Sequence, residues 1–462
     1  MAQRVIPIYF TSLELENVRC FRGLQRLDLT DENGNPARWT LILGDNNVGK
    51  TTLLQCLVWM RPEPQRDKET EDQPEAEFKF LAPALPSEEN EVVESLIRVG
   101  PSTSLELNVS LRQGQELGST KPGNEIKMGI RVFSEDGKLG STETTQDTQI
   151  SDIGEFQELH LFAYGANRQV VSENLANSEL ESPISSLRLS QVTELYDAEE
   201  ILLKLDHAAL KDESGSAATT LGRFKSILAA VLPGMSGPEQ IEIFAPRVRA
   251  TSAGLTGVHV RTFSGLVPIA RLSLGYQTMI AWTVDLAWRL LQVYPESENP
   301  LAEPAVVMVD EIDLHLHPKW QRIIIERLTN LFPATQFIAT AHSPLIVQAA
   351  AAANLTVLQQ EEDHVTIRKD PVSIRGWRVD QILTSEYFGV ESARDEKIEA
   401  LINERNSLLD KLTRTPVEEE RLNQIDSELE QLPTAATPED QEAMDVIRRA
   451  AAVLDGSGAS HS

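Results

Sequence analysis

The residues with the clearest chemical potential form a glycine-rich loop, Gly44-Asp45-Asn46-Asn47-Val48-Gly49-Lys50-Thr51. Glycines permit main-chain conformations that turn successive N–H groups toward phosphate oxygens, and the positive end of a following helix adds to the attraction. In such a loop the lysine reaches the β and γ phosphates of a nucleotide, and the next hydroxyl ligates magnesium. The loop therefore predicts a nucleotide site with contacts from Gly44, Asn46, Asn47, Gly49, Lys50, Thr51 and Thr52.

A pair of carboxylates lies far downstream of this loop. Four apolar residues, 306–309, run directly into Asp310 and Glu311. We expect Asp310 and Thr51 to hold magnesium, and Glu311 to polarise the water that attacks the terminal phosphate. The alternative is a buried strand that ends in two solvated carboxylates. The order of the motifs along the chain argues against that alternative.

The elements around these residues are those that a phosphate loop requires. Residues 39–43 predict a short buried strand that runs into the loop, and residues 51–60 continue with helical apolar spacing. Further buried strands are predicted at 306–309 and 336–340, with helices between them. Strands that alternate with helices favour a doubly wound α/β core.

A third motif, Leu272-Ser273-Leu274-Gly275-Tyr276-Gln277, lies between the loop and the carboxylates. In this order the set resembles ATP-binding-cassette (ABC) ATPases of the branch that includes SMC proteins, DNA-repair ATPases and overcoming-lysogenization-defect nucleases. The resemblance implies that ATP and Mg²⁺ are the cofactors. It implies that Ser273 and Gly275 contact the γ phosphate bound by a second copy, so that hydrolysis needs a head-to-head pair. His342 matches the switch histidine of the family, which implies that it acts beside Glu311 in catalysis.

Other residues match the family less specifically. The segment at 17–22 resembles an amino-terminal element that places an arginine near the nucleotide, so Arg19 or Arg22 is a candidate for that contact, with a surface salt bridge as the alternative. The glutamine that helps to hold magnesium in the family matches either Gln169 or Gln157. Arg168 is a further candidate to face the ATP site.

The histidines and cysteines show little of the spacing that is typical of a metal site. His315 and His317 follow the carboxylate pair and match the family's D-loop, which passes signals across the dimer; a metal site is the weaker alternative. The two cysteines, Cys20 and Cys56, have no spacing that suggests zinc or a disulfide, and we expect both to be inert core residues.

The composition limits the kinds of partner that the chain can bind. The chain has 462 residues and a formal net charge of −28, which argues against a uniformly basic nucleic-acid coat, so a nucleic acid could bind only through a local patch. The sequence has no apolar run of about eighteen residues and no pattern typical of a signal peptide. We therefore expect a cytoplasmic protein with no membrane association.

We expect an α/β fold: an ABC-type ATPase head with a β-rich insertion and a C-terminal α-helical hairpin. The predicted parts are an N-terminal head segment, a β-rich insertion with a mobile acidic loop, the remainder of the head with a helical subdomain, and a helical region for oligomer or partner contacts. Their predicted limits are 1–60, 61–155, 156–390 and 391–462. A third C-terminal helix is predicted at 438–454.

An ATP-driven closure of two heads acts as a switch, and a switch needs something to act on. We therefore expect the function to involve another domain or a partner. The tail lacks the acidic layout of the nuclease domain that follows the switch histidine in overcoming-lysogenization-defect proteins. The segment at 383–391 and the helical hairpin are similar to the PtuA ATPases of Septu and retron-linked antiphage systems. That resemblance implies a homo-oligomer that restrains a separately encoded nuclease of the HNH type. The alternatives are a PARIS-type defence ATPase with a different effector, and an SMC-like repair ATPase that acts directly on DNA.

Overall fold

The computed structural model describes residues 5–65, 80–83, 96–98, 104–119, 121, 123–135, 138–143, 159–171, 192–212, 214–232, 234–244, 255–350, 352–369, 374, 376–385, 387–388, 390, 395–411 and 414–430. The chain divides into two compact units, Met1–Gly389 and Val390–Ser462. Most of the predicted acidic loop and the third C-terminal helix lie outside the described residues.

The described strands of the first unit have ten residues or fewer, as is usual in globular proteins, except for one strand of twelve residues, Asn124–Glu135. In chain order they are β1 (Ile8–Glu16), β2 (Leu24–Asp28), β3 (Trp39–Gly44), β4 (Pro62–Gln65), β5 (Phe80–Pro83), β6 (Ser104–Gln113), β7 (Asn124–Glu135), β8 (Lys138–Glu143), β9 (Leu161–Tyr164), β10 (Arg168–Val171), β11 (Thr193–Tyr196), β12 (Ile241–Phe244), β13 (Gly257–Thr262), β14 (Gly265–Pro268), β15 (Ala305–Val309), β16 (Thr335–Thr340), β17 (Asn354–Gln360) and β18 (Val365–Lys369).

The helices of the first unit are α1 (Lys50–Trp59), α2 (Ala198–Ala209), α3 (Ser216–Val231), α4 (Leu274–Val293), α5 (Pro318–Gln321), α6 (Ile324–Leu331), α7 (Pro344–Ala349) and α8 (Val379–Leu383). Single 3₁₀ turns occur at Pro238–Gln240, Ile269–Arg271 and Pro300–Ala302. The long helix predicted from residue 278 begins four residues earlier, inside the Leu-Ser-x-Gly motif. The helix predicted over 318–331 is interrupted and forms α5 and α6.

A six-stranded sheet at the centre has the order β18-β17-β3-β16-β15-β9. Its strands are parallel except β18, which pairs antiparallel with β17. The carboxyl ends of parallel strands meet at one edge of a sheet, which is where open α/β folds bind ligands. The glycine-rich loop after β3, the carboxylates after β15 and the histidine after β16 therefore lie at the same edge.

Apolar residues of the central strands cover both faces of this sheet. Val307 and Val309 of β15 belong to a core that includes the helices α2, α3 and α4. Val306 and Met308 belong to a second core that includes α1 and the N-terminal strands. The alternation follows from the two-residue period of a strand. A sheet buried on both sides explains the continuous apolar run of β15, whose residues are all buried.

A second, antiparallel sheet has the order β2-β1-β6-β7-β8. Strand β6 pairs with β1 over most of its length, for example Val109 with Leu13. The segment expected to be an insertion thus supplies three strands to the sheet of the N-terminal strands. Its limits at 61 and 155 stay a prediction.

The described part of the second unit is a helical hairpin of α9 (Glu396–Leu409) and α10 (Pro416–Glu430). Leu408, Leu422 and Ile425 form its small apolar core. The main-chain N–H of Thr415 donates to the Glu418 carboxylate and the Thr415 hydroxyl accepts from the Glu418 N–H, which caps the start of α10.

Candidate nucleotide-binding site

The glycine-rich loop is tightly held against the residues that follow β1. Gly49 has a φ of 94° and ends the loop at the start of α1. A Cβ at this position would lie 2.6 Å from the Cys20 sulfur and 2.9 Å from the Phe21 ring. Only glycine fits both the conformation and the space. Gly49 thus allows the loop to pack closely against Cys20 and Phe21 where α1 begins.

Lys50 is buried at the base of the loop. Its ammonium donates to the main-chain oxygens of Gly44, at 2.9 Å, and of Asp45, at 2.6 Å. Burial lowers the pKa of Lys50, and the carboxylates of Asp310 and Glu311 oppose that shift. A cation held in place by carbonyl oxygens can bind a phosphate with little reorganisation.

The carboxylate pair is joined to the loop through a chain of hydrogen bonds. The Thr51 hydroxyl donates to Asp310 Oδ2 at 2.7 Å, and the Thr340 hydroxyl donates to Asp310 Oδ1 at 2.6 Å. The Thr340 hydroxyl oxygen also accepts from the main-chain N–H of Glu311 at 2.7 Å. Asp310 is thereby fixed by hydrogen bonds from α1 and from the end of β16. A hydroxyl and a carboxylate in contact are the oxygen ligands that Mg²⁺ prefers.

A cavity of about 680 Å³ opens at this edge of the sheet. Its lining includes both cations and carboxylates among the following residues: Arg19, Cys20, Asn46, Asn47, Gly49, Lys50, Thr51, Thr52, Asp310, Glu311 and His342. The cavity thus brings together most of the site residues predicted from the sequence. Its size is in the range typical of small-molecule sites.

The two candidate arginines have different surroundings. Arg19 lines the cavity, and its guanidinium donates to Thr52 Oγ1 and Gln55 Oε1, each at 3.1 Å. Arg22 forms an exposed ion pair with Asp363 at 2.8 Å and does not line the cavity. The geometry therefore favours Arg19 as the nucleotide contact.

The cysteines also differ from each other. Cys56 is fully buried in α1, and burial raises the pKa of its thiol to about 12. Cys20 packs against the second core but is only partly buried and also lines the cavity, so the expectation of a core residue holds only in part. The raised pKa of its thiol, caused by burial, indicates low reactivity.

The Leu-Ser-x-Gly motif lies at the start of α4 and does not line this cavity. Ser273 is exposed, and the neighbouring Leu274 is 60% exposed. A Cβ on Gly275 would lie 2.4 Å from the carbonyl oxygen of His315, a contact too short for any other residue. The motif is therefore packed against the segment after the carboxylate pair while it presents its serine to solvent.

The residues after β16 contact the same segment. The main-chain N–H of His342 donates to Asp313 Oδ2 at 2.9 Å, which ties the histidine to the turn after β15. Thr340 and Asp313 were not predicted as site residues. The available signal for Thr340 was the presence of a polar residue at the end of a buried strand. For Asp313 the sequence offered no signal beyond its position shortly after the carboxylate pair.

The two alternatives for the magnesium glutamine lie on either side of β9 in the sequence, Gln157 before it and Gln169 after it. Gln169 is exposed in β10 and does not line the cavity, and Gln157 lies outside the described residues. Arg168 reaches the carboxylate turn: its Nη2 donates to the main-chain oxygen of Glu311 at 3.0 Å. Burial lowers the pKa of Arg168 to about 10, an effect that Asp310 and other nearby carboxylates oppose.

A buried polar network connects α4 to the same region. Asp285, which has no exposed surface, accepts hydrogen bonds from the Tyr164 hydroxyl at 2.8 Å, the Tyr196 N–H at 3.0 Å and Arg289 Nε at 2.8 Å. Burial raises the pKa of Tyr164, and the Asp285 carboxylate adds to that effect. The main-chain oxygen of Tyr164 in turn accepts from the Asp310 N–H at 2.8 Å. The motif helix is thus linked to the carboxylate strand through β9.

The histidines after the carboxylates have structural contacts. Nδ1 of His317 accepts from the Lys319 N–H and caps α5. Within the described ranges, no group of three or more His, Cys, Asp or Glu residues could hold a metal ion. Of the helices that the structure describes, none combines the length and the apolar character needed to cross a bilayer.

The parallel sheet, the phosphate loop and the adjoining strand-end carboxylates define a P-loop nucleotide-binding domain of the ABC type. Residues 40–348 match one family over about two thirds of the chain. The chain belongs to this family, described as "AAA domain, putative AbiEii toxin, Type IV TA system".

The chain is also similar in sequence to individual proteins of Septu and retron systems. The chain is 25% identical to the Septu protein PtuA of Bacillus mycoides over 387 residues, which cover 83% of this chain and 45% of that protein. It is 44% identical to the "Retron Vc95 probable ATPase" of Vibrio cholerae over 94 residues, which cover 20% of this chain and 18% of that protein. These relatives confirm the predicted resemblance to the ATPases of Septu and retron systems. The matches span less than half of the length of each relative.

The solved structures that resemble the chain include the SMC head domain from Thermotoga maritima. The sequence identity is 14% and the TM-score is 0.38, over 79% of this chain and 100% of that domain.

Proposed function

We propose that the chain is the ATP-binding and ATP-hydrolysing subunit of an antiphage defence complex, in which it controls a separately encoded nuclease through nucleotide-dependent pairing of two heads. The observation that supports catalysis best is the 2.7 Å contact between Thr51 Oγ1 and Asp310 Oδ2, two residues that are 259 positions apart in sequence. It brings a phosphate loop and a carboxylate pair into one cavity. Relatives named for Septu and retron systems support the defence role.

Each side chain has a defined part in the proposed reaction. Lys50 binds the β and γ phosphates, and the N–H groups at the start of α1 bind the remaining phosphate oxygens. Thr51 and Asp310 supply oxygen ligands for a magnesium ion, which when bound neutralises charge on the phosphates. Glu311 takes the proton of the attacking water, and His342 contacts the γ phosphate. Arg19 binds the nucleotide from its position beside Thr52 in the cavity lining.

Pairing of two heads follows from the place of the Leu-Ser-x-Gly motif. Ser273 and Gly275 lie outside the cavity of their own chain, and Ser273 is exposed. In the proposed pair they complete the site of a second copy, so nucleotide binding and assembly depend on each other. A nuclease held by such a pair would respond to the nucleotide state.

Three measurements on the purified chain test this proposal in turn. Magnesium-dependent ATP hydrolysis is expected, and its absence would remove the enzymatic part. Light scattering after size-exclusion chromatography is expected to show a larger assembly with ATP than with ADP. Purification together with the product of the neighbouring gene is expected to give a stable ATPase–nuclease complex. Hydrolysis with salt-sensitive DNA binding and no nuclease partner would support a DNA-repair ATPase instead.

A further inference from the structure

Arg168 is brought to the carboxylate turn by the neighbouring strand. Strand β9 ends at Tyr164, beside the end of β15, and the chain then turns at Gly165, whose N–H donates to Thr193 Oγ1 at 2.9 Å. Arg168 begins β10 directly after this turn. Its guanidinium returns to β15 and donates to the Glu311 oxygen. The fold therefore brings a cation to the main chain of the proposed catalytic glutamate.

The environment of Arg168 differs from that of a surface arginine. The residue as a whole is partly exposed, but Nε and Nη1 are buried and have no hydrogen-bond partner. No carboxylate lies within ion-pairing distance of it among the described residues, although Asp310, Glu311 and Asp313 all act on its charge. A buried guanidinium without a direct counter-ion is costly. The hydrogen bond it makes is to a main-chain oxygen, so an ordinary salt bridge does not explain its position.

Glu311 needs such support because its main chain is unfavourable. Its φ is 51°, in the left-handed region, where a residue other than glycine costs about 1–2 kcal/mol. Two hydrogen bonds fix the two ends of the residue: its N–H donates to Thr340 Oγ1, and its carbonyl oxygen accepts from Arg168 Nη2. Strained residues of this kind persist where the surroundings determine them.

We propose that Arg168 is a positioning residue, which holds Glu311 in the left-handed conformation that keeps its carboxylate at the cavity. This inference rests on the proposed ATPase activity and deepens it. Arg168 does not line the cavity, so it acts through Glu311 and not on the nucleotide. Its loss should therefore lower the rate of the chemical step and leave nucleotide binding intact.

Kinetics of Arg168 variants in the full chain test the proposal. Arg168→Ala is expected to lower kcat about 10- to 100-fold, as for other supports of catalytic groups, and to change the Kd for ATP less than about threefold. Arg168→Lys is expected to recover part of kcat because it keeps a charged donor. The matched control is Arg112→Ala. Arg112 is also a partly buried arginine, it lies in the second sheet, and its guanidinium donates to the main-chain oxygen of Gly34. Its kcat should equal that of the wild type.

A double-mutant cycle with Glu311→Gln separates positioning from a general structural effect. If Arg168 acts through Glu311, then Arg168→Ala lowers single-turnover hydrolysis less than about threefold in the Glu311→Gln background. Full additivity, an unchanged kcat in Arg168→Ala, or a parallel loss of ATP binding would each overturn the inference. If thermal melting shows that Arg168→Ala does not fold, Arg168→Gln takes its place in the cycle. Absence of hydrolysis in the wild type would refute the proposed function itself.

Discussion

Asp285 offers the most direct test of how the motif helix α4 is joined to the strand beside the carboxylates. Its carboxylate has no exposed surface and accepts three hydrogen bonds, one each from Tyr164, Tyr196 and Arg289. The Arg289 side chain is itself only 7% exposed. Asp285→Ala would leave this guanidinium buried without its counter-ion and would remove the acceptor of the Tyr164 hydroxyl.

The expected loss of stability is large. Removal of one partner from a buried ion pair costs about 3–5 kcal/mol. The Arg289 guanidinium lies 4.9 Å from the centre of the Tyr196 ring, and this remaining attraction favours the lower half of that range. A unit that runs from Met1 to Gly389 has an unfolding entropy of about 0.8 kcal/mol/K, so the melting temperature should fall by about 4–5 °C.

The assay is differential scanning calorimetry of wild type and variants at one protein concentration. The matched control is Asp380→Ala, which breaks an Arg378–Asp380 ion pair whose side chains are 65% and 44% exposed. It should change the melting temperature by about 1 °C at most, because exposed pairs contribute about 0–1 kcal/mol. Equal shifts in Asp285→Ala and Asp380→Ala would refute the buried-charge reasoning.

Further variants test the origin of the loss. Arg289→Met removes the cation, and the pair Asp285→Leu with Arg289→Met replaces both charges with apolar groups. The double variant should lose much less stability than the sum of the losses in Asp285→Leu alone and Arg289→Met alone, because it leaves no buried charge unpaired. Additive losses would mean that packing, and not charge, explains the effect.

Further predictions concern the nucleotide site and the Leu-Ser-x-Gly motif. Lys50→Ala should abolish binding of a fluorescent ATP analogue, and retained affinity would contradict the role of the loop. Glu311→Gln should keep binding but slow hydrolysis about 10²- to 10⁴-fold and accumulate paired heads in chromatography, whereas equal rates would contradict the base assignment. Ser273→Arg should leave ATP affinity intact and prevent pairing, and full hydrolysis by a monomer would contradict the assembly argument. Gly275→Ala should cost about 1–3 kcal/mol in unfolding by urea, because its Cβ would press against the His315 oxygen; an unchanged midpoint would contradict that contact.

The phosphate loop and the strand-end carboxylates were predictable because their chemistry depends on local pattern. The phosphate-loop motif consists of neighbouring residues: a strand, a loop with glycines at fixed spacing, and a helix. Lys50 and Thr51 could therefore be assigned to the nucleotide site without knowledge of the distant residues that they contact. The buried run before Asp310 likewise reflects a strand covered on both faces. The structure brings these residues to one sheet edge.

Residues whose role depends on distant packing gave a weak signal or none. Thr340 orients Asp310 across two strands, and Asp313 holds the His342 main chain, although neither has a motif of its own. The place of Cys20 in the cavity lining was missed because only the fold shows that it lies against the loop at Gly49. The choice between Arg19 and Arg22 likewise required the position of Asp363, far along the chain.

The sequence by itself determined the family, the phosphate loop and the order of the central elements, because short-range spacing and burial patterns encode them. Only the tertiary structure decided that Arg168 contacts the Glu311 main chain and that Asp285 links α4 to β9. Both contacts join residues more than one hundred positions apart. Such contacts arise from how strands and helices pack against one another. The residues next to a side chain in the sequence do not indicate which distant residues it will contact.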